Sequence, residues 1–184
     1  MDKRIIKTKK NLYTGLLKVM ETKTFENIKV SDICEEAMTN RSTFYDHFSD
    51  KYELLSSLLN DLKEQLIKSL EIKNRKDLLP KEYYMEVIKI FLNHIAANIE
   101  IYNPILKMND NSIVIDMIYD TLYKDIQKEI ESNDRTDDIP AEVITKFYVT
   151  AVTNICLDYI KNPKKYNINT LLDYFNKLLP DKMY

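Results

Sequence analysis

Apolar residues recur every three or four positions along nearly the whole chain, broken by short polar interruptions. That spacing predicts helix after helix. The first covers about residues 5–22, with Leu12, Leu16, Val19 and Met20 on one stripe and Gly15 weakening it slightly. After "TFENIK" a short segment over about 30–37 carries Val30, Ile33, Cys34 and Ala37 on one side. Ser31 and Asp32 sit in its first turn, where acceptors favour a helix start. A third segment, about 41–48, follows Asn40, a favourable N-cap residue, and turns Phe44 and Phe48 inward at i, i+4. Arg41, Ser42, Tyr45 and His47 are left facing outward.

A longer helix over about 51–72 follows, its stripe built from Leu55, Leu58, Leu59, Leu62, Leu66 and Leu70. "NRKDLLPKE" breaks the pattern, and Pro80 marks the start of a helix over about 81–99. "NPILKMNDN" predicts a short helical piece at most, and further helices are expected over about 112–132, 140–161 and 169–179. No segment alternates with the period of two that a half-buried strand needs. The predicted fold is all-α.

Composition fits that reading without adding chemistry. A chain of 184 residues with 45% apolar and 30% charged residues can bury its own core, and one glycine with five prolines argues against a loop-rich β architecture. Cys34 and Cys156 lie far apart with no metal-ligand spacing, so both are expected to be reduced core residues, with neither a metal nor a cofactor implied. No apolar run reaches the roughly 20 residues of a membrane-spanning helix and the start lacks a signal-peptide core, so the expected location is cytoplasmic, with no membrane partner. Two histidines and two isolated cysteines offer little material for catalysis. An enzyme is not expected.

Net charge of −2 does not suggest nucleic acid, but its distribution is uneven. "MDKRIIKTKK" holds Lys3, Arg4, Lys7, Lys9 and Lys10 against Asp2 alone, whereas "ESNDRTDD" is acidic. Close behind the basic opening stand the two short helices joined by "MTN". Two such helices packed through a stripe on each make a helix-turn-helix, which stands its second helix out to enter a major groove about 12 Å wide. The competing reading is an ordinary core hairpin or a helical adaptor without DNA. Core hairpins seldom gather Arg41, Ser42, Thr43, Tyr45 and His47 on one short exposed face.

The first fifty or so residues, from "KNLYTGLLKVMETKTFENIKVSDICEEA" through "NRSTFYDHFSDKYELL", resemble the DNA-binding domain of the TetR/AcrR transcription regulators. The resemblance implies a three-helix DNA-binding head over 1–50, a C-terminal helical effector and dimerisation domain over 51–184, and a homodimer on a near-palindromic duplex. Two departures stand out: Met38 occupies a turn position where the family usually has glycine, and Lys29 one where threonine is common. The expectation is that the turn at Met38 avoids positive φ by adopting another geometry, and that Ser31 shifts the helix start.

Arg41 and Ser42 open the recognition helix, where Arg41 can pair bidentately with guanine. Tyr45 can offer its ring to a thymine methyl or its hydroxyl to a phosphate. Thr43, His47 and Lys51 are candidate phosphate contacts, with Lys3 and Arg4 adding nonspecific attraction. In the second half, the 140–161 helix bears an apolar stripe too wide for one buried face. Phe147, Ala151 and Ile155, with Leu171, Phe175 and Leu178, are the candidate dimer interface. Phe91, Ile95, Asn98, Tyr102, Met108, Met117 and Tyr123 are candidates for an effector pocket, or equally plain core. The C-terminal stretch "FYVTAVTNICLDYIKNP" resembles the sensor domain of a subgroup that often has tryptophan near Asp158, absent here. The function expected is a dimeric DNA-binding regulator, a repressor released by a small-molecule or protein effector, with an activator or co-regulator answering to a partner protein as the alternative.

Overall fold

The structure is a computed structural model that describes residues 3–72, 78–108, 112–132 and 139–180. Among these the chain is helical throughout, with no strand: α1 (Lys3–Met20), a 3-10 turn (Phe25–Asn27), α2 (Val30–Glu36), α3 (Arg41–Tyr45), α4 (Lys51–Ser69), α5 (Pro80–Ala97), α6 (Ile99–Leu106), α7 (Ser112–Ser132), α8 (Ala141–Lys161) and α9 (Ile168–Leu178). Periodicity placed most of these within two or three residues. The acidic "ESNDRTDD" loop lies largely outside the described residues.

The chain divides into two compact units, Met1–Leu62 with Asn103–Asn111, and Lys63–Tyr102 with Ser112–Tyr184. The expected domain boundary at residue 50 lies within the first of these units, immediately before α4. The first unit runs on into α4 because α1 grips that helix: the Tyr13 hydroxyl lies 2.8 Å from Ser57 Oγ and donates to Asp61 Oδ2 at 3.0 Å. Burial raises the Tyr13 phenol to about 12, so it stays protonated and keeps this donor.

The first unit's core is built from Leu12, Leu16, Ile33, Phe44, Leu54 and Leu62, all essentially inaccessible. Gly15 has a larger role than a weak spot in α1. A Cβ there would sit 2.8 Å from the Ile33 carbonyl oxygen and 2.9 Å from Ala37 Cβ. Glycine is what lets α1 and α2 close on each other.

In the second unit α7 packs on α8, and α5 packs on α8 and α9. Pro80 begins α5, and the Glu82 carboxylate accepts the Leu79 N–H at 2.9 Å, satisfying one orphan donor of the first turn. Phe91, Leu92, Ile95, Val114, Ile118 and Ile160 fill the interior. A polar pair lies among them: His94 Nε2 is 3.0 Å from the Tyr102 hydroxyl, and both side chains are buried.

Burial pushes His94 below its ordinary value of 6.5, because the imidazolium loses hydration there. The unfolded chain then binds the His94 proton at higher pH than the folded one. Stability is complete above pH about 6.5 and declines as pH falls from there towards the depressed folded value. Urea denaturation between pH 8 and pH 5 is expected to show this decline, and His94→Gln to flatten it. An unchanged slope in the variant would place the effect on other groups.

Candidate nucleic-acid interface

The helix-turn-helix forms from the residues expected, with a different turn. α2 starts at Val30 with Lys29 in the N-cap position, so Ser31 does not shift the start. Asp32 replaces the missing cap by accepting the Lys29 N–H at 2.9 Å, and it also pairs with Lys23 at 3.0 Å. The Lys29 N–H, and after it Lys23, hold the Asp32 carboxyl below the usual carboxylate range.

At the other end of α2, the Thr39 N–H donates to the Cys34 carbonyl at 2.9 Å and the Met38 N–H to the Glu35 carbonyl at 3.1 Å. This pair of bonds is a Schellman cap, which requires a left-handed residue between them. Met38 supplies it with φ 48°. The expectation of another geometry is overturned: the cap's hydrogen bonds fix the backbone, and the strain is accepted.

α3 is a five-residue helix, shorter than the predicted segment to Phe48. Backbone bonding continues as a turn, with His47 N–H on the Phe44 carbonyl and Phe48 N–H on the same oxygen at 2.9 Å. Phe44 and Phe48 anchor it, their rings 5.9 Å apart and buried. Arg41 and Ser42 are exposed on the opposite side, and Tyr45 is 51% exposed with its ring edge-on to Phe44 at 5.4 Å. Thr43 and His47 are half-buried, His47 leaning on Phe48. Lys3 and Arg4 lie exposed in the first turn of α1.

Sequence reasoning took Asn40 only for a cap and passed over Tyr52. Asn40 caps α3 by position, yet its side chain makes no capping bond and stays exposed beside Arg41. Tyr52 is 59% exposed, its ring edge-on to Phe25 at 5.2 Å. The signal for both was available, since each is a polar-ended residue off the apolar stripe and next to the recognition segment.

Lys51 does something other than the contact expected of it. Its ammonium donates to the carbonyls of Phe25, Glu26 and Ile28 at 2.8, 2.8 and 2.9 Å. It also lies 5.0 Å from the Phe25 ring centre. All three protons are committed to carbonyls of the 3-10 turn and of Ile28, which follows it, so the ammonium points inward. Nor is the start of α4 open to an anion, for Asp50 Oδ1 accepts the Tyr52 and Glu53 N–H groups, both at 2.8 Å. Lys51→Met is therefore expected to cost about 2 kcal/mol of stability through the lost charged hydrogen bonds. Chemical denaturation checks it; a variant as stable as the parent would return Lys51 to a purely surface role.

The seven candidate pocket residues are divided between the two units. Phe91, Ile95 and Tyr102 are wholly buried core, the Asn98 amide donates to the His94 carbonyl, and Met117 and Tyr123 are half-buried on α7. Met108 belongs to the first unit. Within the second unit an apolar cavity of about 30 Å³ lies instead among Val87, Ile88, Leu122, Ile126, Val149 and Val152. A more open cleft of about 410 Å³ lies where Ile67 and Leu70 of α4 meet Thr121 and Lys124 of α7.

Of the six candidate interface residues, Leu171 and Phe175 are buried within their own chain. Phe147 and Leu178 are 70% and 72% exposed, Ala151 is exposed and Ile155 half-buried. Val143 and Tyr174 extend the same apolar strip.

A short exposed helix set on a rigid three-helix platform, with polar and aromatic side chains on its outer side, defines a helix-turn-helix DNA-binding protein. Comparison with known proteins agrees. The family described as "Bacterial regulatory proteins, tetR family" matches residues 12–58, and "Transcriptional regulator C-terminal region" matches residues 82–181. The chain belongs to the TetR family of transcriptional regulators and is a DNA-binding regulator.

An uncharacterized HTH-type transcriptional regulator of Bacillus subtilis, YxbF, is 33% identical over 73 residues, which is 39% of this chain and 19% of that protein. The match thus spans about a fifth of that relative's length. Among solved structures, native NalD, the secondary repressor of the MexAB-OprM efflux pump in Pseudomonas aeruginosa, shares the fold with TM-score 0.75 at 12% identity over 94% of both chains. The dihydroxyacetone kinase operon activator DhaS does so with TM-score 0.64 at 22% identity over 93% of both. Among the described residues no helix is long and apolar enough to cross a membrane.

Proposed function

We propose that the chain acts as a homodimeric repressor that reads a near-palindromic duplex and leaves it when an effector binds the second unit. The observation that carries the DNA-reading part is the outward face of α3, where Arg41, Ser42 and Tyr45 stand clear of a buried Phe44–Phe48 anchor. Exposed Asn40 directly precedes that face in the chain, and Thr43 and His47, half-buried, lie on α3 and the turn after it. Lys3 and Arg4 add the sequence-independent attraction that counterion release supplies.

Dimerisation rests on the apolar strip of Val143, Phe147, Ala151 and Ile155 on α8, continued by Tyr174 and Leu178 on α9. These residues recur at helical spacing on a solvent-facing side, where an isolated chain gains nothing from them. Two copies related by a two-fold axis would set two recognition helices on half-sites one duplex turn, or a multiple, apart. The effector's entry point is the apolar cavity between α5, α7 and α8, which has room for about one water as it stands and must widen to admit a ligand. Only a ligand that binds the widened form better can shift the dimer away from DNA.

Selection of the purified protein against random duplexes at physiological salt tests the reading. Enrichment of a two-fold-related site supports it, and enrichment of a single half-site or of nothing opposes it. A second reading, activation, draws on DhaS being an operon activator, and separates from repression by the sign of a reporter's response.

A further inference from the structure

Met38 combines two features that a folded chain has no use for by itself. It is the one non-glycine residue at positive φ among the described residues, and its side chain is 95% exposed. An L-residue in the left-handed region is strained by its Cβ, which glycine lacks. The exposed side chain recovers none of that by packing. Both bonds of the Schellman cap are backbone bonds, so glycine would form them equally well. Strain retained at one exposed position points to a role outside the fold.

Its place says which role. Met38 lies three residues before Arg41, hence within about 11 Å of it even in an extended chain, against a major groove about 12 Å wide. It precedes the exposed run of Asn40, Arg41 and Ser42 without any intervening buried side chain. A methionine is long, unbranched and polarisable, which suits it to an apolar partner on the groove wall. The apolar group that the major groove displays is the thymine 5-methyl.

We propose that Met38 is a specificity-determining residue that packs on a thymine methyl at the edge of each half-site. The proposal rests on the DNA-reading function above. Glycine at this position would leave the turn intact and remove the contact, so stability and selectivity move in opposite directions.

The test uses the full chain, the selected duplex, and Met38→Gly. The variant is expected to resist denaturation better than the parent while binding the duplex more weakly. Deoxyuridine is then substituted for thymidine at each position in turn, which deletes one methyl. One position should lose roughly fourfold in parental affinity per half-site, as expected for a buried methyl, and that loss should vanish in Met38→Gly. Methyl deletions read by Tyr45 would persist in the variant, which separates the two residues. Met38→Gly binding as tightly as the parent, or keeping every methyl sensitivity, overturns the proposal. A parent that selects no duplex removes the DNA-reading function itself, and the Met38 contact with it.

Discussion

Replacing Arg41 and Tyr45 together with alanine is expected to weaken binding to the selected duplex at least about a hundredfold, while the protein stays folded and dimeric. A bidentate arginine–guanine pair contributes about 1–3 kcal/mol of discrimination, and a two-fold dimer makes it twice. Tyr45 adds an aromatic contact from the same side of α3. Neither side chain belongs to the buried core, since Arg41 is exposed and Tyr45 is 51% exposed, its ring edge-on to the buried Phe44. Exposed truncations of this kind change stability by about 0.5 kcal/mol or less. Fluorescence anisotropy on the selected and a scrambled duplex reads the effect. If the variant kept its preference for the selected duplex, base reading would lie off α3.

The second large effect is expected from Phe147→Asp, which should convert the proposed dimer to monomer and abolish tight binding to a two-half-site duplex. Phe147 is 70% exposed, with its ring edge-on to Tyr148 at 5.2 Å, so the isolated chain loses little by its removal. In a two-fold interface the substitution places a carboxylate in an apolar seam from each copy. Burying an unpaired charge costs several kcal/mol, enough to raise the dimer dissociation constant by roughly a hundredfold or more. Sedimentation of both proteins at micromolar concentration gives the answer. A variant that still sediments as a dimer would move the interface elsewhere.

Much of this organisation is legible in the sequence, for a physical reason. Amphipathic helices announce themselves by spacing, and the leucines of α4 and the Phe44–Phe48 pair were placed correctly by it. The exposure of Arg41, Ser42 and Tyr45 was legible too, because polar and aromatic residues crowd onto α3 where burial cannot explain them. What escaped depends on tertiary packing. Lys51 reads as a free cation until the carbonyls of Phe25, Glu26 and Ile28 come within 2.9 Å of it. Gly15 reads as a helix weakness until α2 closes on it. Met38 was expected to avoid positive φ, because a local rule carries no knowledge of the cap that holds the backbone there. Phe91 and Tyr102 could be core or pocket by pattern alone, and the packed chain shows both fully buried. On α9, Leu171 and Phe175 face inward while Tyr174 and Leu178 face out, a difference of one residue around the helix that an apolar stripe does not resolve.

The central claim, a dimer that reads two half-sites in fixed register, is tested most directly by inserting five base pairs between the half-sites of the selected duplex. Half a turn puts the second half-site on the opposite face of the duplex, where one dimer cannot reach both. Loss of tight binding on insertion, with recovery when ten base pairs are inserted only if the dimer can span the extra turn, is the result predicted. Equal affinity for the original and the five-base-pair duplex would contradict the account, since each chain would then be reading DNA alone.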